Sequence, residues 1–225
     1  MILTPYGKRE WIAASAVLAV AAALAAWWFW PVAVLPAALW AWVLWFFRDP
    51  VRAAPSSPGL LLSPADGRVS DITPIGADSE LGAEGLRVGI FMNILNVHVN
   101  RSPARARVES VSHRKGSFLD ARDALAGERN ESATIRLLCR LDGREELILV
   151  RQVAGLIARR IVTDLSPGQE LSAGQRIGMI KFGSRLELLV PHELVGQVRV
   201  QVGQKVRAGQ TVLIAAPGAH ADEHV

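Results

Sequence analysis

From Trp11 to Phe47 no side chain is charged, and all seven tryptophans of the chain fall inside that run. A helix needs roughly 20 apolar residues to cross the hydrocarbon core of a bilayer, so the run predicts two helical legs with a turn between them. Pro31 and Pro36 are placed to supply the turn, because proline removes a helix donor and disfavours helix in the residue before it. The legs are expected over residues 10–29 and 32–47, the second short enough to re-enter without fully crossing. Trp27, Trp28 and Trp30 cluster at the expected tip, where indole favours the interface. Lys8 and Arg9 flank one end and Arg48 and Arg52 the other, which predicts that both ends are cytoplasmic. The competing reading is a cleaved signal peptide, suggested by the small residues at 21–26. A second apolar leg directly after it argues against cleavage.

Beyond Phe47 the pattern changes to short apolar runs broken by Gly, Pro and Asp, the signature of strands and turns. Residues 86–91 and 146–153 are the clearest strands, and 118–128 reads as a helix or loop insert. A stretch of ten residues recurs at an offset of 35: Gly168-Gln169-Glu170-Leu171-Ser172-Ala173-Gly174-Gln175-Arg176-Ile177 returns as Gly203-Gln204-Lys205-Val206-Arg207-Ala208-Gly209-Gln210-Thr211-Val212. Each copy reads as strand, glycine turn, strand, and resembles the half-motifs of barrel-sandwich hybrids such as biotinyl and lipoyl domains. The expected architecture is therefore mainly β: a barrel-sandwich-hybrid-like soluble domain behind a hydrophobic helical hairpin that anchors it to the membrane. The boundaries expected are an anchor at 1–50, a linker at 51–59, the β-rich domain at 60–216 and a disordered tail at 217–225.

Composition narrows the function classes. The net charge of +4 is modest, and Arg101, Arg105, Arg107, Arg114 and Lys115 form a basic stretch that suits either anionic headgroups or a solvated face. Without interleaved aromatics or a basic helix, nucleic acid is a poor fit. Cys139 is the single cysteine, so neither a disulfide framework nor a multi-cysteine metal site is expected. A β domain tethered this closely to a bilayer points to a lipid substrate or one held at the bilayer surface.

Three places carry candidate chemistry, each open to a plain structural reading. Asp66-Gly67 in Ser63-Pro64-Ala65-Asp66-Gly67 is ordinary turn chemistry. His98 lies among apolar and amide residues in Asn93 to Pro103, where a lone histidine is commonly a hydrogen-bonded structural residue. Gly183-Ser184 follows an apolar strand, and such a pair is common in turns.

Taken in order, Phe46-Phe47-Arg48-Asp49-Pro50, Ser63 to Gly67, Val97-His98 with Pro103, and Phe182-Gly183-Ser184 resemble the phosphatidylserine decarboxylase family, in its short, self-processing, pyruvoyl-dependent form. The resemblance implies a proenzyme that cleaves itself between Gly183 and Ser184. Ser184 would attack the Gly183 carbonyl, with His98 as the base and Asp66 as its orienter, by the logic of serine-hydrolase triads. It also implies a covalent pyruvoyl group derived from Ser184, acting as an electron sink for the leaving carboxylate. A β chain of residues 1–183 and an α chain of 184–225 would form a heterodimer at the cytoplasmic face of the cell membrane, with any higher homo-oligomer left open. The cleavage site departs from the Leu-Gly-Ser-Thr of larger members, and Leu95 stands where they carry a second histidine. Three alternatives stay open: a related decarboxylase of the archaetidylserine type, a membrane-anchored lipoyl-like adaptor, and a carrier modified on Lys181.

Overall fold

The computed structural model describes residues 2–55, 57–123, 125–141, 144–156, 160–181 and 183–219, and the chain divides into two compact units, Met1–Val51 and Arg52–Val225. Phe182 of the Phe-Gly-Ser stretch and residues 220–225 of the expected tail lie outside the described residues.

The first unit is a helical hairpin. Helix α1 (Lys8–Phe29) is followed by a 3-10 turn at Trp30–Ala33 and helix α2 (Val34–Phe46). The break falls at Phe29, whose backbone is extended at φ −158° and ψ 98°. Pro31 sits in the turn as expected. Pro36 does not: it occupies the first turn of α2, where an N–H would have no intrahelical acceptor, so the ring breaks nothing. Trp40 Nε1 donates to Ser15 Oγ at 2.9 Å, tying the legs together. At the open end, Thr4 N–H donates to the Phe47 carbonyl at 2.9 Å and Asp49 N–H to that of Ile2 at 2.8 Å. Both ends of the hairpin therefore emerge on the same side. No residue of α1 is buried, and the Pro5–Phe46 stretch is long and apolar enough to cross a membrane.

The second unit is mainly β. Its strands are β1 (Leu60–Leu62), β2 (Gly67–Ile75), β3 (Gly85–Met92), β4 (Val99–Arg101), β5 (Ala106–Arg114), β6 (Ser132–Leu141), β7 (Arg144–Val153), β8 (Ile161–Val162), β9 (Glu170–Leu171), β10 (Arg176–Ile180), β11 (Ser184–Pro191), β12 (Gln197–Val198), β13 (Lys205–Val206) and β14 (Val212–Ala215). The insert at 118–128 is largely irregular and ends in a short helix, α3 (Ala126–Arg129). Eight strands form one sheet in the order β13-β2-β3-β11-β7-β6-β5-β9, and β1-β14-β12 and β4-β10-β8 form two small ones. Strand β11 sits inside the large sheet, antiparallel to β3 and β7. Its Leu186, Leu188 and Val190 point into the main core with Val88, Ile90, Ile135, Leu137 and Ile148, as the two-residue period of a strand requires.

The repeat is a structural one, and it has a second part. Gly168 and Gly203 take φ of 84° and 87°, and Gly174 and Gly209 take 73° and 69°, matched left-handed turns that only glycine adopts freely. Each copy is held by an equivalent partner. Gly203 N–H donates to Val69 O and Gly168 N–H to Val108 O, both at 2.8 Å, while Gly209 and Gly174 N–H donate to Ser63 O and Ser102 O. Ser63-Pro64-Ala65 and Ser102-Pro103-Ala104 are thus counterparts, and they bond each other reciprocally: Leu62 N–H to Pro103 O at 2.8 Å, Arg101 N–H to Pro64 O at 2.9 Å. Two interlocked halves of this kind are what the barrel-sandwich pattern predicts.

Because an added Cβ at Gly203 would meet nothing within 4 Å, Gly203→Ala isolates the cost of its backbone conformation. It should lower the unfolding free energy by about 1–2 kcal/mol in a denaturant titration, whereas Val202→Ala should stay within about 0.5 kcal/mol of the parent.

Candidate active site

Two antiparallel registers fix where Ser184 lies. It is the first residue of β11 and pairs with Met92 at the end of β3, while Arg185 pairs with Val153 at the end of β7. Ser184 is fully buried, and its Oγ donates to Met92 Sδ at 3.6 Å. Asn100 Nδ2 donates to the same sulfur at 3.8 Å. Asn100 Oδ1 accepts from Gln152 Nε2 at 2.8 Å, and Gln152 Oε1 accepts from Thr163 Oγ1 at 2.7 Å. Buried amides are hydrogen-bonded as a rule, and this chain of side chains holds the surroundings of the buried Ser184 in one arrangement.

Gly183 has φ 51°, a left-handed conformation in front of the serine. Its carbonyl lies against Gly155: an ideal Cβ at position 155 would stand 2.1 Å from Gly183 O. Any side chain there would displace that carbonyl.

His98 is fully buried and directly precedes β4. Its carbonyl accepts from Ile180 N–H at 3.4 Å, at the end of the strand that leads to Gly183-Ser184. Its Nδ1 is 3.0 Å from the Asn96 carbonyl. A carbonyl only accepts, so Nδ1 carries the proton and Nε2 the lone pair of the neutral ring. That is the tautomer a general base needs.

Asp66 has other partners. Its carboxylate accepts from Arg52 Nη1 at 2.5 Å and Nη2 at 2.8 Å, and from Ala208 N–H at 2.8 Å; Arg52 also donates to Ala208 O at 2.8 Å. Nothing in the sequence tied Arg52 to Asp66. His98 is not among the hydrogen-bond partners of Asp66, and the Asn96 carbonyl holds the imidazole where the sequence reading placed Asp66. The Ser63–Gly67 turn that carries Asp66 receives the Arg101 N–H on Pro64 O, three residues beyond His98.

The other face of β11 carries buried charge. Arg185 donates through Nε to Glu187 Oε1 at 2.8 Å and through Nη2 to Asp71 Oδ2 at 2.7 Å. Arg151 Nη1 meets Glu187 Oε2 at 3.0 Å, and its Nη2 meets Glu80 at 2.8 Å. Gly89 and Gly127 make room: an ideal Cβ would stand 2.2 Å from Asp71 Oδ2 at the first and 2.6 Å from Glu187 Oε1 at the second. Among the described residues, no cluster of three or more His, Cys, Asp or Glu side chains is placed to hold a metal ion. Burial pushes the Cys139 thiol up to about 12. Lys181 is only 6% exposed, which does not suit a carrier lysine that must be presented to solvent.

Met92, Gln152 and Gly155 were not singled out from the sequence. Asn100 had a signal, since residues 98 and 100 share a strand face and both are polar in an apolar run. Gln152, with Arg151, separates Val153 from the apolar run 147–150. Gly155 had none.

Comparison with known proteins gives this geometry its context. The profile of the phosphatidylserine decarboxylase family matches residues 39–214. Two relatives are each called a phosphatidylserine decarboxylase proenzyme. One, from Paramagnetospirillum magneticum, is 43% identical over 180 residues, covering 79% of this chain and 73% of its own. The other, from Rhodopirellula baltica, is 41% identical over 207 residues, covering 92% and 85%. The chain belongs to the phosphatidylserine decarboxylase family, a family of carboxy-lyases.

The buried charges make a sharp stability prediction. Glu187→Ala leaves Arg151 and Arg185 without their central counter-charge and should cost about 3–5 kcal/mol. The check is a large drop in the thermal midpoint or loss of folded protein on purification.

Proposed function

We propose that this chain is a phosphatidylserine decarboxylase proenzyme that cleaves itself between Gly183 and Ser184. It then releases carbon dioxide from the serine headgroup to leave phosphatidylethanolamine. The observation that carries the reading is a buried serine at the mouth of a central strand, behind a left-handed glycine whose carbonyl is backed by Gly155.

Ser184 Oγ adds to the Gly183 carbonyl carbon and passes its proton to His98 Nε2. The C–N bond then breaks, and His98 returns that proton to the departing Ser184 nitrogen, leaving an ester. Removal of the Ser184 α-proton breaks the ester C–O bond. This frees a chain that ends in the Gly183 carboxylate and leaves a dehydroalanine, which tautomerises to an imine. Water hydrolyses that imine to a pyruvoyl group, and one ammonia leaves. The residues fit such a group, because position 184 is enclosed and flanked by Met92 and Asn100. When formed, its carbonyl supplies an electron sink for decarboxylation. In this reading His98 holds and returns the proton, its tautomer set by the Asn96 carbonyl, while Asp66 with Arg52 keeps the Ser63–Gly67 turn in place.

The cut precedes β11 and spares the sheet. Strand β11 stays hydrogen-bonded on both sides, and Arg185 stays tied to Asp71 and Glu187, so the chains 1–183 and 184–225 remain one heterodimer. The hairpin anchors the protein in the cell membrane, and the cations flanking its two ends support a cytoplasmic orientation of both.

Detergent-dispersed phosphatidylserine should be converted to phosphatidylethanolamine by the wild type and not by Ser184→Ala or His98→Ala. A Ser184→Ala protein of wild-type activity would refute the reading. Gly155→Ala should slow processing at least tenfold, about 1.4 kcal/mol of activation free energy, with the precursor visible on a gel. Arg52→Gln should impair processing as much as Asp66→Asn, with no change in its pH profile. If Asp66→Asn alone shifts that profile, Asp66 acts directly on His98.

A further inference from the structure

The strand registers gather several loops at one end of the large sheet. Ser184 pairs with Met92, Arg185 with Val153, Val153 with Ser132, and Ser132 with Arg114. The described residues of the segments leaving these positions, 93–98, 154–160 and 115–131, therefore lie at the same end as Ser184. Among the described residues of the β unit, five large apolar side chains are exposed: Ile94 at 43%, Leu95 at 59%, Leu125 at 41%, Leu156 at 63% and Val202 at 61%. All but Val202 lie on those three segments. The opposite end, where Pro191 pairs with Gly85, presents Asp78, Glu84, His192 and Glu193 instead.

The loop that carries Ile94 and Leu95 is also built to leave water. Asn96 Oδ1 accepts the Asn93 N–H at 2.9 Å, Asn93 Oδ1 accepts the Leu95 N–H at 2.8 Å, and the Asn93 carbonyl accepts the Asn96 N–H at 3.1 Å. Three of its backbone donors, on Asn93, Leu95 and Asn96, are satisfied within the loop, which lowers the cost of a non-helical segment where water is scarce. Around the rim stand the exposed cations Lys115, Arg129 and Arg160, beside the carboxylates Asp123 and Glu128.

We infer that Ile94, Leu95, Leu125 and Leu156 form an apolar lip that dips into the surface of an anionic phospholipid bilayer around the mouth of the Ser184 site. The inference rests on the proposed lipid substrate. A phospholipid carries its reacting headgroup a few bonds from its acyl chains. An enzyme whose reacting position is buried must take the headgroup out of the interface or meet it there. A lip around that position lets the headgroup enter while the chains stay in the membrane. The lip is the site's own contact with the bilayer, in addition to the hairpin anchor.

Full-length protein carrying Leu95→Cys, Leu156→Cys or Glu193→Cys would be labelled with an environment-sensitive fluorophore, Cys139 being buried and unreactive. Each would be placed in nanodiscs containing phosphatidylserine, at one protein per disc. Labels at 95 and 156 should shift to the blue and be quenched by lipids brominated near the headgroup, while the label at 193 should do neither. Water-like emission at 95 and 156 overturns the lip, and so does a blue shift that appears only when several copies share a disc, which would mean a protein contact. This readout does not depend on processing, so the lip can fail while the proposed function stands, and the reverse. In a second test, Leu95→Glu with Leu156→Glu should still be processed. It should raise the KM for phosphatidylserine in bilayers about tenfold, about 1.4 kcal/mol, and leave turnover of monomeric short-chain phosphatidylserine near the parental rate. Equal effects on both substrates contradict the inference.

Discussion

Strand β11 has an apolar face and a charged one, and both are buried. Arg185 and Glu187 lie on the face opposite Leu186 and Leu188, within a network that includes Arg151, Asp71 and Glu80. A slip of one residue against β3 or β7 would turn the charges into the core and the leucines outward. An unpaired buried charge costs several kcal/mol, so the network permits one register only. That register sets Ser184 opposite Met92 and puts Gly183 against Gly155. The position of the candidate scissile peptide is thus a consequence of pairing charge on the far side of the same strand.

The two halves around the Ser-Pro-Ala turns supply the second constraint. Their reciprocal hydrogen bonds hold β1 to the turn after β4 and β4 to the turn after β1. His98 leads into β4, so its backbone is fixed by this crossing. The halves differ at the residue after Ser-Pro-Ala, which is Asp66 in one and Arg105 in the other. Asp66 bonds Arg52 and Ala208, whereas Arg105 is exposed. The interlocked scaffold is nearly symmetric, and the candidate chemistry sits where the symmetry is broken.

Much of this was legible beforehand. A charge-free run with two prolines reads as a hairpin because helix length and bilayer thickness are both fixed, and the glycine repeat reads as paired turns because φ near 80° excludes most side chains. Pro36 was misplaced because the sequence does not say which of two prolines starts a helix and which ends a turn. The partner of Asp66 was missed for a different reason: Arg52 lies in a Pro/Ser/Ala stretch that reads as a linker. Gly155 was equally invisible, since its meaning is a close approach to a carbonyl on another strand. The Ser-Pro-Ala pair at 63 and 102 was visible in the sequence and overlooked, because the interval between its copies, 39 residues, differs from the 35 of the glycine repeat.

In the proposed proenzyme, Ser184 itself breaks the peptide that joins it to Gly183. The most direct measurement is the intact mass of the purified, folded protein. Two chains, 1–183 and 184–225, with the smaller one lighter by one ammonia than a peptide beginning in serine, is the predicted result. A single chain of full mass, or a smaller chain that begins with an unmodified serine, would contradict it.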